Sequence, residues 1–241
     1  MSSPSTPTEP TAADRPSVDR RRLVVACRSL RPELEQLRGE NEDAVEIRYL
    51  PQQLHRSPDR LGRAAAKLLE RVDTAIAEVV LAYGWCSGGI GGLLAPSQGL
   101  WIPRVHDCIA LLLGSRQAYQ EAFDRRPGTY YLTAGWLDEQ KDPIGTLEHD
   151  YVPRVGREDA EWALRTELEH YTHIVLIDTG VTPLSRLRPR AEDNARFLNK
   201  RYEEVAGSSS LLRRILFGPQ DAADFVYVPP GQPVRQEEFI G

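Results

Sequence analysis

This sequence predicts a doubly wound α/β fold, a mainly parallel sheet with helices on both faces, and three observations predict it. Short, almost continuously apolar runs recur at Leu23 to Ala26, Val79 to Ala82 and His173 to Asp178, and continuous rather than alternating apolarity marks strands covered on both faces. Segments with helical apolar spacing separate these runs, which is the alternation a parallel sheet requires. Each run stops at a polar or glycine-rich turn, and the carboxyl ends of such strands are where open α/β folds bind ligands.

Taken in order, residues 1–20 are rich in Ser, Thr and Pro and poor in large apolar side chains, so a tail is expected there. Residues 21–232 read as a single α/β domain and 233–241 as a loose C-terminal tail. The first apolar run leads through Cys27 into a helix over Ser29 to Arg38, with Ser29 as N-cap and Pro32 in its first turn. Val45 to Leu50 alternates apolar and charged residues as a half-buried strand does, and Pro51 ends it. Ser57-Pro58 opens a helix whose Leu61, Ala65, Leu68, Leu69 and Val72 form a core-facing stripe.

The run Val79 to Ala82 feeds the loop Tyr83-Gly-Trp-Cys-Ser-Gly-Gly-Ile-Gly-Gly92. That glycine density permits positive φ and close backbone approach, so Tyr83, Trp85, Ser87, Gly88 and Gly89 are candidate ligand contacts. The loop lacks the Gly-Lys-Ser/Thr of a nucleotide-binding P-loop and the spacing of a dinucleotide fingerprint. Leu100 to Ile102 is a further short strand, followed by Pro103-Arg-Val-His-Asp-Cys108 and a helix from Ile109. Helix resumes over Gln117 to Phe123, and Thr129 to Thr133 reads as a strand. Asp138 to Arg157 reads as a lid-like loop, Glu158 to Tyr171 and Leu184 to Val205 as helices, Ser210 to Phe217 as a shorter helix, and Asp224 to Val228 as the last strand.

Three cysteines occur in the chain. Cys27, Cys86 and Cys108 each follow a strand-like run, so parallel neighbouring strands would bring three thiols to one sheet edge. An odd cysteine count without an export signal argues for reduced thiols and a cytoplasmic setting, while buried cysteines also serve as small hydrophobes. His106 and Asp107 beside Cys108 are candidates for proton transfer, and Arg104 for anion binding. Gln53 and His55 on the loop after Pro51, with Asp178 and Thr179 after the run at 173–178, complete the expected binding set. The net charge of −5 gives no footing to nucleic-acid binding. No apolar run approaches the roughly 20 residues a bilayer span needs. A small anionic molecule is the expected partner, with homo-oligomer formation left open.

The motifs A-C-R-S-L-R-P-E-L, Y-L-P-Q-Q-L-H-R-S-P, A-Y-G-W-C-S-G-G, P-R-V-H-D-C-I-A-L-L-L-G-S and P-G-T-Y-Y-L-T-A-G-W resemble an uncharacterised domain family of bacteria and archaea, over about residues 22–230. The resemblance implies an association with corrinoid-dependent methyltransferase systems. A looser architectural likeness is to three-cysteine iron–sulfur enzymes such as quinolinate synthase, with no aligned motif. The leading expectation is a metalloenzyme, a lyase or transferase, in which Cys27, Cys86 and Cys108 hold a 4Fe–4S cluster with one iron open as Lewis acid on the substrate. The alternatives are a zinc–thiolate alkyl-transfer protein using the same cysteines, or two of them with His106, and a non-catalytic metallocofactor-binding or delivery protein. Covalent catalysis by one cysteine with His106 as base is a fourth reading, favoured if the thiols lie far apart.

Overall fold

The structure, a computed structural model, describes residues 21–39 and 44–239; the tail expected over residues 1–20 lies outside them. In chain order the elements are β1 (Arg22–Cys27), α1 (Arg31–Arg38), β2 (Val45–Leu50), α2 (Pro58–Leu69), β3 (Glu78–Ala82), β4 (Leu100–Pro103), α3 (Cys108–Leu113) and α4 (Arg116–Arg125). There follow β5 (Thr129–Leu132), α5 (Ala134–Asp138), α6 (Pro143–Thr146), α7 (Val152–Val155), α8 (Arg157–Glu167), β6 (His173–Asp178), α9 (Leu184–Leu198), β7 (Arg201–Ala206), α10 (Ser210–Phe217) and β8 (Phe225–Val228).

The fold is α/β with mainly parallel strands, and those strands are divided between two sheets. One has the order β2-β1-β3-β4-β8, the other β5-β6-β7. Every pairing is parallel except that of β4 with β8. The side-chain period of two in β1 explains the layering. Leu23, Val25 and Cys27 share a core with Leu61, Ala65 and Leu69 of α2. Val24 and Ala26 point the other way, onto Leu34 of α1, Ile109 to Leu112 of α3 and Leu211 to Leu216 of α10. Ile177 of β6 joins that second core, with Tyr131 of β5 and Val205 of β7 packed at its margin. The opposite face of the small sheet, Leu132, Ile174 and Leu176, packs on α8 and α9. The helices α1, α3 and α10 therefore form a middle layer shared by both sheets, and the carboxyl ends of the strands in each sheet open towards a common region.

Four expectations need correction. The helix expected over 184–205 ends at Leu198, because Asn199 takes the left-handed conformation. The chain then adds β7, an edge strand whose charges mask its apolar signal: Glu203 pairs with Arg126 at 2.5 Å and Glu204 with Arg188 at 2.6 Å. The expected loop at 138–157 is helical, with α6, a π-helical turn at Leu147–Tyr151 and α7 in succession. The C-terminal segment is not loose as far as residue 239: Val234 exchanges backbone bonds with Leu93 and Gly92, and Phe239 is buried against Trp85. Ser29 is not an N-cap; it lies in a 3₁₀ turn ahead of α1 and turns its hydroxyl to Cys27 instead.

One buried contact ties the middle layer to the small sheet. Glu33 of α1 is fully buried, and its Oε1 accepts a 3.0 Å hydrogen bond from Thr179 just past β6, while Oε2 has no partner among the described residues. Burial pushes this carboxyl up to about 7, against hydrogen bonds that partly offset it. A carboxyl raised on folding contributes stability below its unfolded pKa of 4.5 and loses it as pH rises towards about 7. Glu33→Gln, which keeps an acceptor for Thr179 and removes the titration, should match the parent at acid pH. Above neutrality it should be more stable by up to ~3 kcal/mol, read from urea midpoints across pH. Parallel pH curves for the two proteins would refute this.

Candidate functional site

The strands β1, β3 and β4 are consecutive parallel neighbours, so their carboxyl ends lie side by side. Cys27 is the last residue of β1, Cys86 begins the turn after β3, and Cys108 is the first residue of α3 after β4. Two backbone bonds fasten the second of these ends to the third: Trp85 N–H to the Val105 carbonyl and Cys86 N–H to the His106 carbonyl, both 3.0 Å. Gly84 makes the approach possible, since a Cβ there would lie 2.5 Å from the Asp107 nitrogen. Cys86 itself is held at φ 46°, the left-handed region, at a cost of about 1–2 kcal/mol for a residue with a side chain.

The three thiols share one electrostatic environment. Burial raises Cys27; it pushes Cys86 up to about 12, with Cys27 and then Asp107 adding to the effect; and it raises Cys108 strongly, with Cys27, Asp107 and Cys86 adding in turn. Thiols in this state are neutral and poor nucleophiles unless a cation offsets the penalty. Two hydroxyls sit among them. Ser29, fully buried, donates to the Cys27 sulfur at 3.1 Å. Tyr83, also buried, bonds no nitrogen or oxygen among the described residues and turns its hydroxyl to the Cys27 sulfur. As the side chains stand, no three His, Cys, Asp or Glu residues among the described ones form a ready-made site for a metal ion. The donor set is nonetheless of the soft kind that zinc and iron–sulfur centres take, and two buried hydroxyls already turn to one of its sulfurs.

Next to the thiols, a cleft runs between the two sheets. One part, about 280 Å³, is lined by Gln52, Gln53, His55, Arg56, Lys141 and Asp150; another, about 240 Å³, by Asp107, Tyr119, Arg126 and Tyr131; Tyr130, Trp136 and Tyr171 wall both. The π-helical turn sets Asp150 against Lys141, whose ammonium donates to both carboxylate oxygens at 3.1 Å. His55 lies 2.6 Å through Nδ1 from the Gln52 carbonyl. A carbonyl only accepts, so Nδ1 carries the proton and Nε2 is left as the basic nitrogen. Its ring stacks on Trp136 with centroids 5.9 Å apart, and burial lowers its pKa. His106 behaves oppositely: it is exposed, its Nδ1 lies 3.3 Å from Asp107 Oδ2, and that hydrogen bond raises its pKa. Asp107 also caps α3 through Oδ1 and accepts from the Tyr119 hydroxyl.

Some expected contacts are placed elsewhere. Arg104 donates through its guanidinium to the Glu238 carbonyl and from its backbone to Asp224, so it anchors the C-terminal segment and does not line the cleft. The loop at 83–92 and the stretch 104–108 are bonded to each other directly. Gly89 leaves room for Leu61 of α2, a Cβ at Gly88 would lie 3.7 Å from the Trp85 ring, and Trp85 rests on Phe239, so this loop serves packing. The Ser87 side chain lies outside what the structure describes. Asp178 and Thr179 end β6 in the other sheet, where Asp178 accepts from Gly180 N–H and Thr179 holds Glu33. Gln53 and His55 do line the cleft. Ser29, Tyr130, Trp136 and Lys141 escaped the sequence reading; the aromatic pair Tyr130-Tyr131 ahead of Trp136 was the one local sign of them.

Thiol-edged strands and an inter-sheet cleft define an α/β protein with a candidate site at converging strand ends. The family model described as "Protein of unknown function (DUF1638)" matches residues 49–216, and the chain belongs to that family. No curated protein and no solved structure matches it. Among the described residues no helix is long and apolar enough to cross a membrane.

The burial that raises all three thiols, with Cys27 adding to the rise of the other two, makes a direct prediction for the metal-free protein. At mildly alkaline pH they should react with a disulfide reagent ~100-fold or more slowly than in denaturant, measured as release of the coloured thiolate. Equal rates would mean that the thiols are neither buried nor coupled.

Proposed function

We propose that this chain is a metalloenzyme in which Cys27, Cys86 and Cys108 hold a 4Fe–4S cluster, with the adjoining cleft receiving a small anionic substrate for an elimination or dehydration. The observation that carries the reading is the convergence of three shielded thiols from three adjacent strand ends, Cys27 buried and Cys86 and Cys108 half-buried, with Cys27 raising the pKa of the other two. That burial penalty disfavours a lone cysteine nucleophile, because no thiolate forms without a countercharge. When bound, a cluster with one iron free of protein ligands supplies a Lewis acid.

The chain's own groups divide the proton work. His106, raised by Asp107, is the proton donor, and His55, lowered by burial with Nε2 unprotonated, is the acceptor. Environments that push two titratable groups apart in this way are how acid and base roles are separated near neutrality. Asp107 acts on both rings, raising each. Lys141 and Arg56, paired at the rim with Asp150 and Glu167, meet the substrate's negative charge by exchanging one carboxylate for another. The zinc alternative that recruits His106 is less favoured, since that ring lies on Tyr119 with Nδ1 towards Asp107.

Anaerobic reconstitution with iron and sulfide tests the proposal. Wild type should take up iron and turn brown, and each Cys→Ser variant should lose most of it, because a hydroxyl is a far weaker ligand for soft centres. His55→Ala and His106→Ala should keep the metal. Loss of metal from His106→Ala, with zinc rather than iron retained by wild type, would replace the cluster by zinc. Wild-type metal content in all three Cys→Ser variants would remove the metal reading altogether.

A further inference from the structure

The hydroxyl of Tyr83 is buried, bonds no nitrogen or oxygen among the described residues, and has the Cys27 sulfur as its acceptor, as a buried phenol ordinarily finds one. Its placement is built in by the backbone. The Tyr83 N–H bonds back to the Leu81 carbonyl at 2.9 Å, a tight turn at the end of β3 that drops the side chain into the core holding Cys27 and Cys86. Burial raises the phenol well above its usual range, and Cys27, Cys86 and Cys108 all add to the rise, which puts the three sulfurs within its electrostatic reach. Ser29 lies on the same site: its hydroxyl donates to Cys27 at 3.1 Å. Its backbone is pinned by α5, where a Cβ on Gly135 would run into the Ser29 carbonyl.

We propose that Tyr83 and Ser29 are positioning residues that donate hydrogen bonds from oxygen to the sulfur atoms of the centre held by Cys27, Cys86 and Cys108, an inference that rests on the cluster reading above. In the metal-free protein both hydroxyls already turn to the Cys27 sulfur. Donors to cluster sulfurs stabilise the extra negative charge of the reduced form and so raise the reduction potential.

Wild type, Tyr83→Phe and Ser29→Ala are compared after anaerobic reconstitution with iron and sulfide, reading iron content, midpoint potential and melting temperature with and without the cluster. Both variants should bind iron as wild type does, and each should show a more negative potential. The gain in melting temperature on reconstitution should be smaller for Tyr83→Phe than for wild type. A Tyr83→Phe protein whose potential and gain equal those of wild type overturns the proposal. Ser29→Ala reports the potential independently. Iron uptake by wild type with unmoved variants defeats this inference alone; no uptake by wild type defeats the cluster reading, and this inference with it.

Discussion

Two backbone hydrogen bonds, from Trp85 and Cys86 to the carbonyls of Val105 and His106, fix the part of the molecule on which everything proposed for it depends. They join the end of β3 to the end of β4 beyond the point where strand pairing stops, and they require a residue without a side chain at Gly84. With that clamp closed, Cys86 is forced into a left-handed conformation and Asp107 is carried to the head of α3, where it caps the helix. Backbone strain of this kind persists only where the surrounding structure over-determines it. Here the determinants are the clamp on one side and the packing of Gly89 and Trp85 on the other.

The large sheet was legible in the sequence because its strands are covered on both faces and so read as unbroken apolar runs. The cysteines after them were legible for the same reason, each run having an abrupt end. The small sheet was harder to see. β7 carries Arg201, Glu203 and Glu204 on a half-exposed edge, and its local composition is that of a charged helix; only the left-handed Asn199 separates the two. The division into two sheets is a property of the shared middle layer, of α1, α3 and α10 having apolar residues enough for two faces, and no local window of sequence displays it. The cleft was correspondingly half visible. Gln53 and His55 follow a recognisable strand end, whereas Lys141 and Asp150 meet through a π-helical turn in a stretch whose periodicity is broken by that turn.

The placement of Arg104 away from the cleft has the same origin. Next to His106 and Asp107 it looks like part of one polar cluster, but β4 is followed by a chain that turns sharply, with Val105 N–H bonded to the Pro103 carbonyl. Successive side chains therefore leave in different directions: Arg104 to the C-terminal segment, Val105 into the core, His106 to the surface beside Tyr119. Proximity in sequence at a strand end is a weak guide to proximity of side chains, because the turn there disperses them.

The extent of the family match bears on where the thiol site belongs. The match begins at residue 49, near the end of β2, so Cys86, Cys108 and the residues of the cleft fall within it while Cys27 precedes it. Yet β2 is bonded to β1 and β3 is bonded to β1, and those two strands do not pair with each other. A sheet assembled from the matched segment alone would lack an interior strand, leaving β2 detached and the inner edge of β3 without a ladder, a gap that buried backbone groups do not tolerate. β1 is therefore part of the same folding unit as the matched segment. Its last residue, Cys27, then falls at the edge where Cys86 and Cys108 already stand, as a consequence of parallel pairing and register alone.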